Sequence, residues 1–202
     1  MTPSDAAIEV RQADAVDWAD VQTVFGTRGA ACFCQCQRYK LRPREAFRAF
    51  PVEERVDRLR RQTDVEPGTD PTTGLVAYLD GEPVGWCAVQ PRPAYPGLLR
   101  NNRVPWLGRD EDRTDDGVWS VTCFVTRVGY RRRGVSRALA RAAVEHARRH
   151  GARAVEGYPM TTAQALSEEL HVGLASVFLA AGFTEVSRPT PRRAVLRIEL
   201  GS

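Results

Sequence analysis

The chain has 202 residues, 43% apolar and 27% charged, with 29 basic against 25 acidic residues and a net charge of +4. That length holds one sizeable core. The composition excludes a disordered chain, no run approaches the ~18 apolar residues of a membrane span, and so small a basic surplus is not the footprint of a nucleic-acid binder.

The first residues, MTPSDAAIEV, lack the basic-then-apolar pattern of a signal peptide, and the five cysteines are an odd number. A cytoplasmic location with free thiols is the expectation. Ile8 to Arg11 reads as a short strand. Asp14 or Asp17 stands where a cap belongs for a helix running to about Phe25, with Val21, Val24 and Phe25 inward. With Asp17 as the cap, Val16 and Val21 occupy the hydrophobic-staple positions. Gly26 and Gly29 end that helix. Cys32, Cys34 and Cys36 follow at alternate positions: on a strand all three share a face, on a helix only Cys32 and Cys36. The one-residue spacing suits zinc poorly and His146, His150 and His171 are distant, so no metal site is expected.

Pro43 to Phe50 and Pro51 to Gln62 read as one or two helices. Val52, Val56 and Leu59 have helical spacing, Pro51 suits a first helical position, and Glu53, Glu54 and Asp57 precede Arg58, Arg60 and Arg61 as a helix dipole prefers. Thr63 to Thr73 is a loop rich in Pro, Gly and Asp. Leu75 to Tyr78 and Val84 to Val89 flank Asp80-Gly81, a hairpin signal. Pro91 to Asp116 reads as a long loop with four prolines and Trp106. Its charged residues, among them Arg100, Arg103, Arg109, Asp110, Glu111, Asp112 and Arg113, suit either a polar substrate or a plain surface loop.

The most informative stretch runs from Trp119 to His150. Trp119 to Val125 is β-branched and aromatic and predicts a strand with Trp119, Val121, Cys123 and Val125 on one face. Both faces are apolar or small, which suits a central strand. After Gly134, Val135, Ala138, Leu139, Ala142, Ala143 and His146 recur at helical spacing, and Gly151 stands where a C-cap glycine belongs. Between strand and helix lies Arg131-Arg132-Arg133-Gly134-Val135-Ser136. A helix start offers unpaired N–H groups and a positive dipole end, Gly134 permits close approach, and three arginines add charge. The arrangement suits an anion, a pyrophosphate above all. Downstream, Ala152 to Tyr158 reads as a strand, Gly173 to Ala181 as a short helix, Phe183 to Val186 and Arg193 to Leu200 as strands, with Pro189 and Pro191 marking a turn.

Arg131-x-x-Gly134-x-Ser136, after a strand and opening a helix, resembles the acetyl-CoA pyrophosphate loop of the GNAT superfamily of N-acetyltransferases. Phe178-Leu-Ala-Ala-Gly182-Phe183 resembles the second signature of that family, an aromatic four residues before a Gly-Phe pair. Ser136 replaces the usual Gly or Ala, a small departure. The resemblance covers roughly residues 5 to 200 as one domain. It implies a mixed α+β fold: a central, mostly antiparallel sheet with one splayed parallel strand pair and helices on both faces.

The resemblance further implies acetyl-CoA as cosubstrate and acetyl transfer to an amine, small-molecule or peptide, by direct attack. Main-chain groups of Cys123, Phe124 and Val125 would take the pantetheine arm, and residues 131 to 136 the pyrophosphate. The cleft would open between strand 118–126 and strand 153–158, with the cysteine segment packing near the acceptor. The family often places a tyrosine where Phe178 stands, so another proton donor is needed. Tyr158 is the first substitute and His171 the second. Glu156 is a candidate base acting through water. Cys123 as a covalent nucleophile has no histidine near it in sequence. A homodimer is compatible with the pattern, and no membrane or nucleic-acid partner is expected. Two readings from other classes stay open: an acyl-CoA sensor lacking a proton donor, motivated by Phe178, and a basic module binding nucleic acid through its arginines.

Overall fold

A computed structural model describes residues 8–64, 73–100, 103–166 and 169–201. Seven strands form one sheet: β1 (Glu9–Gln12), β2 (Gly74–Leu79), β3 (Glu82–Pro91), β4 (Val118–Thr126), β5 (Ala154–Gly157), β6 (Thr184–Thr190) and β7 (Arg193–Glu199). Their order is β1-β2-β3-β4-β5-β7-β6, and every pairing is antiparallel except β4 with β5. The helices are α1 (Trp18–Phe25), α2 (Gly29–Cys34), α3 (Val52–Thr63), α4 (Pro96–Leu99), α5 (Val135–Arg149) and α6 (Ala175–Leu179). The expected mixed architecture with a single parallel pair is the one observed.

Two apolar layers enclose the sheet. On one face Leu75, Ala77, Cys87, Val89, Trp119 and Val121 meet Val135, Leu139, Ala143 and Ala147 of α5. On the other, Val76, Tyr78, Trp86 and Ala88 lie under Val21, Val24 and Phe25 of α1 and Leu59 of α3. Burial of each large apolar side chain contributes about 1.5–3 kcal/mol. The β2–β3 turn at Asp80-Gly81 has both residues at positive φ, 54° and 80°, as a two-residue hairpin loop requires.

Several sequence expectations shift. Residues 43–50 hold only a 3-10 turn, Phe47–Ala49. Arg55, buried within α3, shapes that segment by donating to the carbonyls of Phe47 and Phe50 at 2.6 Å each, with its guanidinium 3.9 Å from the Phe47 ring centroid. Pro51 is the residue before α3 and not its first. The expected loop at 63–73 falls largely outside the described residues. Pro189 lies inside β6, which is tolerated because β6 is an edge strand.

The buried stripe of α5 includes Ala140, Val144 and Ala147, while Ala138 and Ala142 are only half-buried. The face is rotated from the expected one because α5 presses on β3 through Gly85. A Cβ there would stand 2.5 Å from Val135 Cγ1 and 3.0 Å from Leu139 Cδ1.

The segment from Pro91 to Asp116 is folded where described. It contains a 3-10 turn, Arg92–Ala94, and α4, and it buries Tyr95, Leu98 and Trp106. Trp106 Nε1 donates to the Leu98 carbonyl at 3.0 Å.

His146 is fully buried, both ring nitrogens lack a partner among the described residues, and it lies between Trp119 (ring centroids 5.5 Å) and His150 (4.4 Å). Burial first, then the charges of His150 and Arg149, hold its pKa down to about 4. An unfolded imidazole titrates near 6.5, so as pH falls from there toward 4 the unfolded chain takes up the proton and the folded one does not. Stability from this group is complete above about 6.5 and declines as pH falls. In urea unfolding, wild type is expected to lose about 1–2 kcal/mol more than His146→Leu between pH 7 and pH 5.

Candidate active site

The site is built where β4 and β5 part. They pair in parallel from Val118↔Ala154 to Val121↔Gly157, and there β5 ends. β4 runs on to Thr126 against β3 alone. At the same point β4 carries a bulge: Ala88 faces Cys123 and Val89 faces Val121, so Thr122 is the extra residue. Beyond it, among the described residues, the main-chain groups of β4 on the side away from β3 have no strand partner.

The bulge also corrects the expected alternation. Trp119 and Val121 face α5, but Cys123 and Val125 pack with the opposite layer and Phe124 takes the α5 side. One inserted residue moves every later side chain to the other face. The gap between the strands is filled by Phe178. A Cβ on Gly157 would stand 2.1 Å from its ring, and the ring meets Phe124 and Phe183 edge-on at 5.6 and 5.2 Å. Phe178 is fully buried. It is the wedge of the fork and carries no proton to give.

At the end of β4 the chain turns through residues 131–134 into α5. Arg132 and Gly134 adopt positive φ, 62° and 84°. The first N–H groups bonding back are those of Arg137 and Ala138, both to the Gly134 carbonyl at 3.0 Å. Among the described residues those of 132–136 meet no acceptor, and consecutive N–H groups in such a turn form an anion-binding concavity. Arg131, Arg132 and Arg133 are exposed, and none forms an ion pair among the described residues. The Ser136 hydroxyl lies 3.4 Å from that of Thr126, a long contact joining the first turn of α5 to the end of β4.

On the face opposite α5, Ser120 and Glu156 stand opposite each other in the parallel register. Tyr158, one residue past β5, brings its hydroxyl 2.8 Å from Ser120 Oγ and donates to Glu156 Oε2 at 3.1 Å. Burial first, then the Glu156 charge, raises the Tyr158 pKa well above its ordinary value. Glu156 is itself inaccessible and accepts from Arg109 and Arg197, with Arg92 Nη2 3.4 Å away. Glu111 joins the same arginines. A buried carboxylate is tolerable only when so paired.

A family model for the acetyltransferase (GNAT) family matches residues 38–171. The chain belongs to the GNAT acetyltransferase family. It is therefore an acyltransferase, and acetyl-CoA is the acetyl donor of the family. Solved structures share the fold. A GCN5-related N-acetyltransferase from Kribbella flavida is 19% identical, with TM-score 0.55 and coverage of 98% of this chain and all of the other. A putative acetyltransferase, yncA, from Salmonella typhimurium with its cofactor acetyl-CoA is 13% identical, with TM-score 0.55 and coverage of 96% and 94%. The GNAT domain of S. lividans PAT is 18% identical, with TM-score 0.53 and coverage of 96% and 90%. No curated protein matches the chain.

The residues fit a GNAT donor site: amides at the α5 start with no acceptor and three arginines with no ion pair among the described residues, and an open strand leading to both. Of the residues singled out in the sequence, Cys123, Phe124 and Val125 lie on the open arm of the fork, 131–136 at its end, and Glu156 and Tyr158 on the closed arm. His171 lies apart from that pair, 6.3 Å between ring centroids from Tyr39. Sequence reasoning missed Ser120, Arg92 and Arg197 and left Arg109 and Glu111 open between a polar-substrate role and a plain surface loop; their meeting depends on strand register and on the fold of the 91–116 segment.

Gly134 has open space around its missing Cβ, with only Ile8 Cδ1 at 3.9 Å, but its φ of 84° disfavours any other residue. Gly134→Leu is expected to weaken acetyl-CoA binding at least ~10-fold in calorimetry while circular dichroism stays native-like.

Proposed function

We propose that this GNAT protein transfers the acetyl group to a primary amine, of a small molecule or a peptide, by direct attack within a ternary complex. The observation that carries this reading is the coincidence of three openings. The β4–β5 fork, the bulge at Thr122 and the unpaired amides before α5 follow one another along a single stretch of chain. Residues 131–136 hold the pyrophosphate through main-chain N–H groups and arginine charge. The open arm around Cys123, Phe124 and Val125 binds the thioester arm through its backbone. Phe124 and Phe178 keep water out of the fork.

Tyr158 acts as the proton donor to the leaving thiolate. Three features support that role over one for Phe178 or His171. Tyr158 directly follows the end of β5, where the fork begins, its raised pKa keeps it protonated, and Ser120, 2.8 Å away, provides a second hydroxyl for relay. Glu156 serves better as the fixed anion that orients Tyr158 than as a base. Arginines and the tyrosine already occupy both of its oxygens. The amine then loses its proton to solvent after attack.

The test follows thiol release from acetyl-CoA in the presence of an amine panel. With a productive amine, Tyr158→Phe is expected to lower kcat about 100-fold with little change in KM for acetyl-CoA. An unchanged kcat would remove Tyr158 from the chemistry. Absence of thiol release with every amine of a broad panel would favour a sensor.

A further inference from the structure

Lys40 is the only lysine among the 29 basic residues of the chain. It follows α2 and is half-buried on the sheet face opposite α5. Its Nζ donates to Gln90 Oε1 and lies 4.4 Å from the centroid of the Tyr95 ring. Gln90 pairs with Ser120, the position next to the Val89↔Val121 pair that borders the bulge. Thr73 Oγ1 also donates to Gln90 Oε1, at 3.0 Å, which fixes that amide. The Tyr95 hydroxyl faces Thr122, the bulge residue itself, though without a hydrogen bond of ordinary geometry. The Tyr95 ring thus links the amine to the bulge residue of β4.

The surroundings favour a free amine. Among the described residues no carboxylate pairs with Lys40, and Cys36 is the titratable side chain whose charge bears on it. Cys36 Sγ is held by Trp86 Nε1 at 3.1 Å. Burial pushes the Lys40 pKa down to about 7. At pH 8 most molecules therefore present an unprotonated nitrogen, the form that attacks a thioester.

We propose that Lys40 is a self-acetylation site, its Nζ taking the acetyl group of acetyl-CoA held in the fork. The inference rests on the donor site described under the proposed function. In the step a bond forms between Nζ and the thioester carbonyl carbon. The carbon–sulfur bond breaks with its electron pair on sulfur, and the proton lost by nitrogen ends on that thiolate. The products are Nε-acetyllysine and free coenzyme A.

The experiment incubates full-length protein at pH 8 with acetyl-CoA carrying a carbon-13 acetyl group. A capped lysine, Nα-acetyl-lysine methylamide, shares the tube as the uncatalysed reference. Intact mass and peptide mapping read the label, and calorimetry on the same preparation reads acetyl-CoA binding. The expected result is one label on Lys40, appearing at least ~100-fold faster than on the capped lysine, and no label at that position in Lys40→Arg. Binding without label on Lys40, or labelling no faster than the capped lysine, overturns the proposal while the donor site stands. Absence of acetyl-CoA binding overturns the donor site and this inference with it.

Discussion

The structure depends on keeping two parallel strands together for four residue pairs and then apart. Hydrogen bonding favours continuing the ladder, since unpaired strand groups in an interior are costly. Three sequence features oppose continuation at one level. Thr122 is inserted in β4, β5 stops at Gly157, and the Phe178 ring stands where any side chain on Gly157 would be. The result is a slot lined by unpaired main-chain groups. α5 is pressed against β3 through Gly85, so the start of the helix lies at the end of the same open strand. A donor with a long polar arm and an anionic tail fits that continuous line of amides.

The closed arm of the fork carries a buried charge network. Glu156 has no exposed surface, and neither does Arg92, so both have left water. Arg109, Arg197 and Glu111 complete the network. Such clusters contribute little net stability, because desolvation offsets attraction. Their effect here is geometric. They fix the carboxylate that accepts the Tyr158 hydrogen bond and tie Arg92, Arg109 and Glu111 to the sheet. A segment that reads as a long loop, suited to a polar substrate or a plain surface, is therefore tied to the sheet beside the candidate site.

Much of the fold was legible because it rests on local patterns. The Asp80-Gly81 hairpin, the β4–α5 unit and the closing strand β7 each carry their period and their turn residues in the sequence. The proposed donor loop stands out in the sequence for the same reason: its glycine, its arginines and its place at a helix start are contiguous. The bulge at Thr122 was not, since threonine at a strand centre gives no sign of insertion and strict alternation is the default reading. Arg55 was hidden because a charged residue on an amphipathic helix reads as solvated, whereas here it gathers two carbonyls from a neighbouring turn. The Glu156 cluster joins residues 92, 109, 156 and 197, and only the antiparallel β5–β7 register and the packing of the 91–116 segment bring them together. Lys40 likewise gave no signal beyond being alone of its kind.

The central claim is that the open arm of β4 and the start of α5 together receive the donor. Residue-resolved amide hydrogen exchange, with and without acetyl-CoA, tests it most directly. Slowed exchange is expected within residues 122–126 and 132–136, which lack internal acceptors on their open side, and little change in β1, β2 and β6. Unchanged exchange in both segments at saturating acetyl-CoA, or protection confined to another part of the chain, would contradict the account.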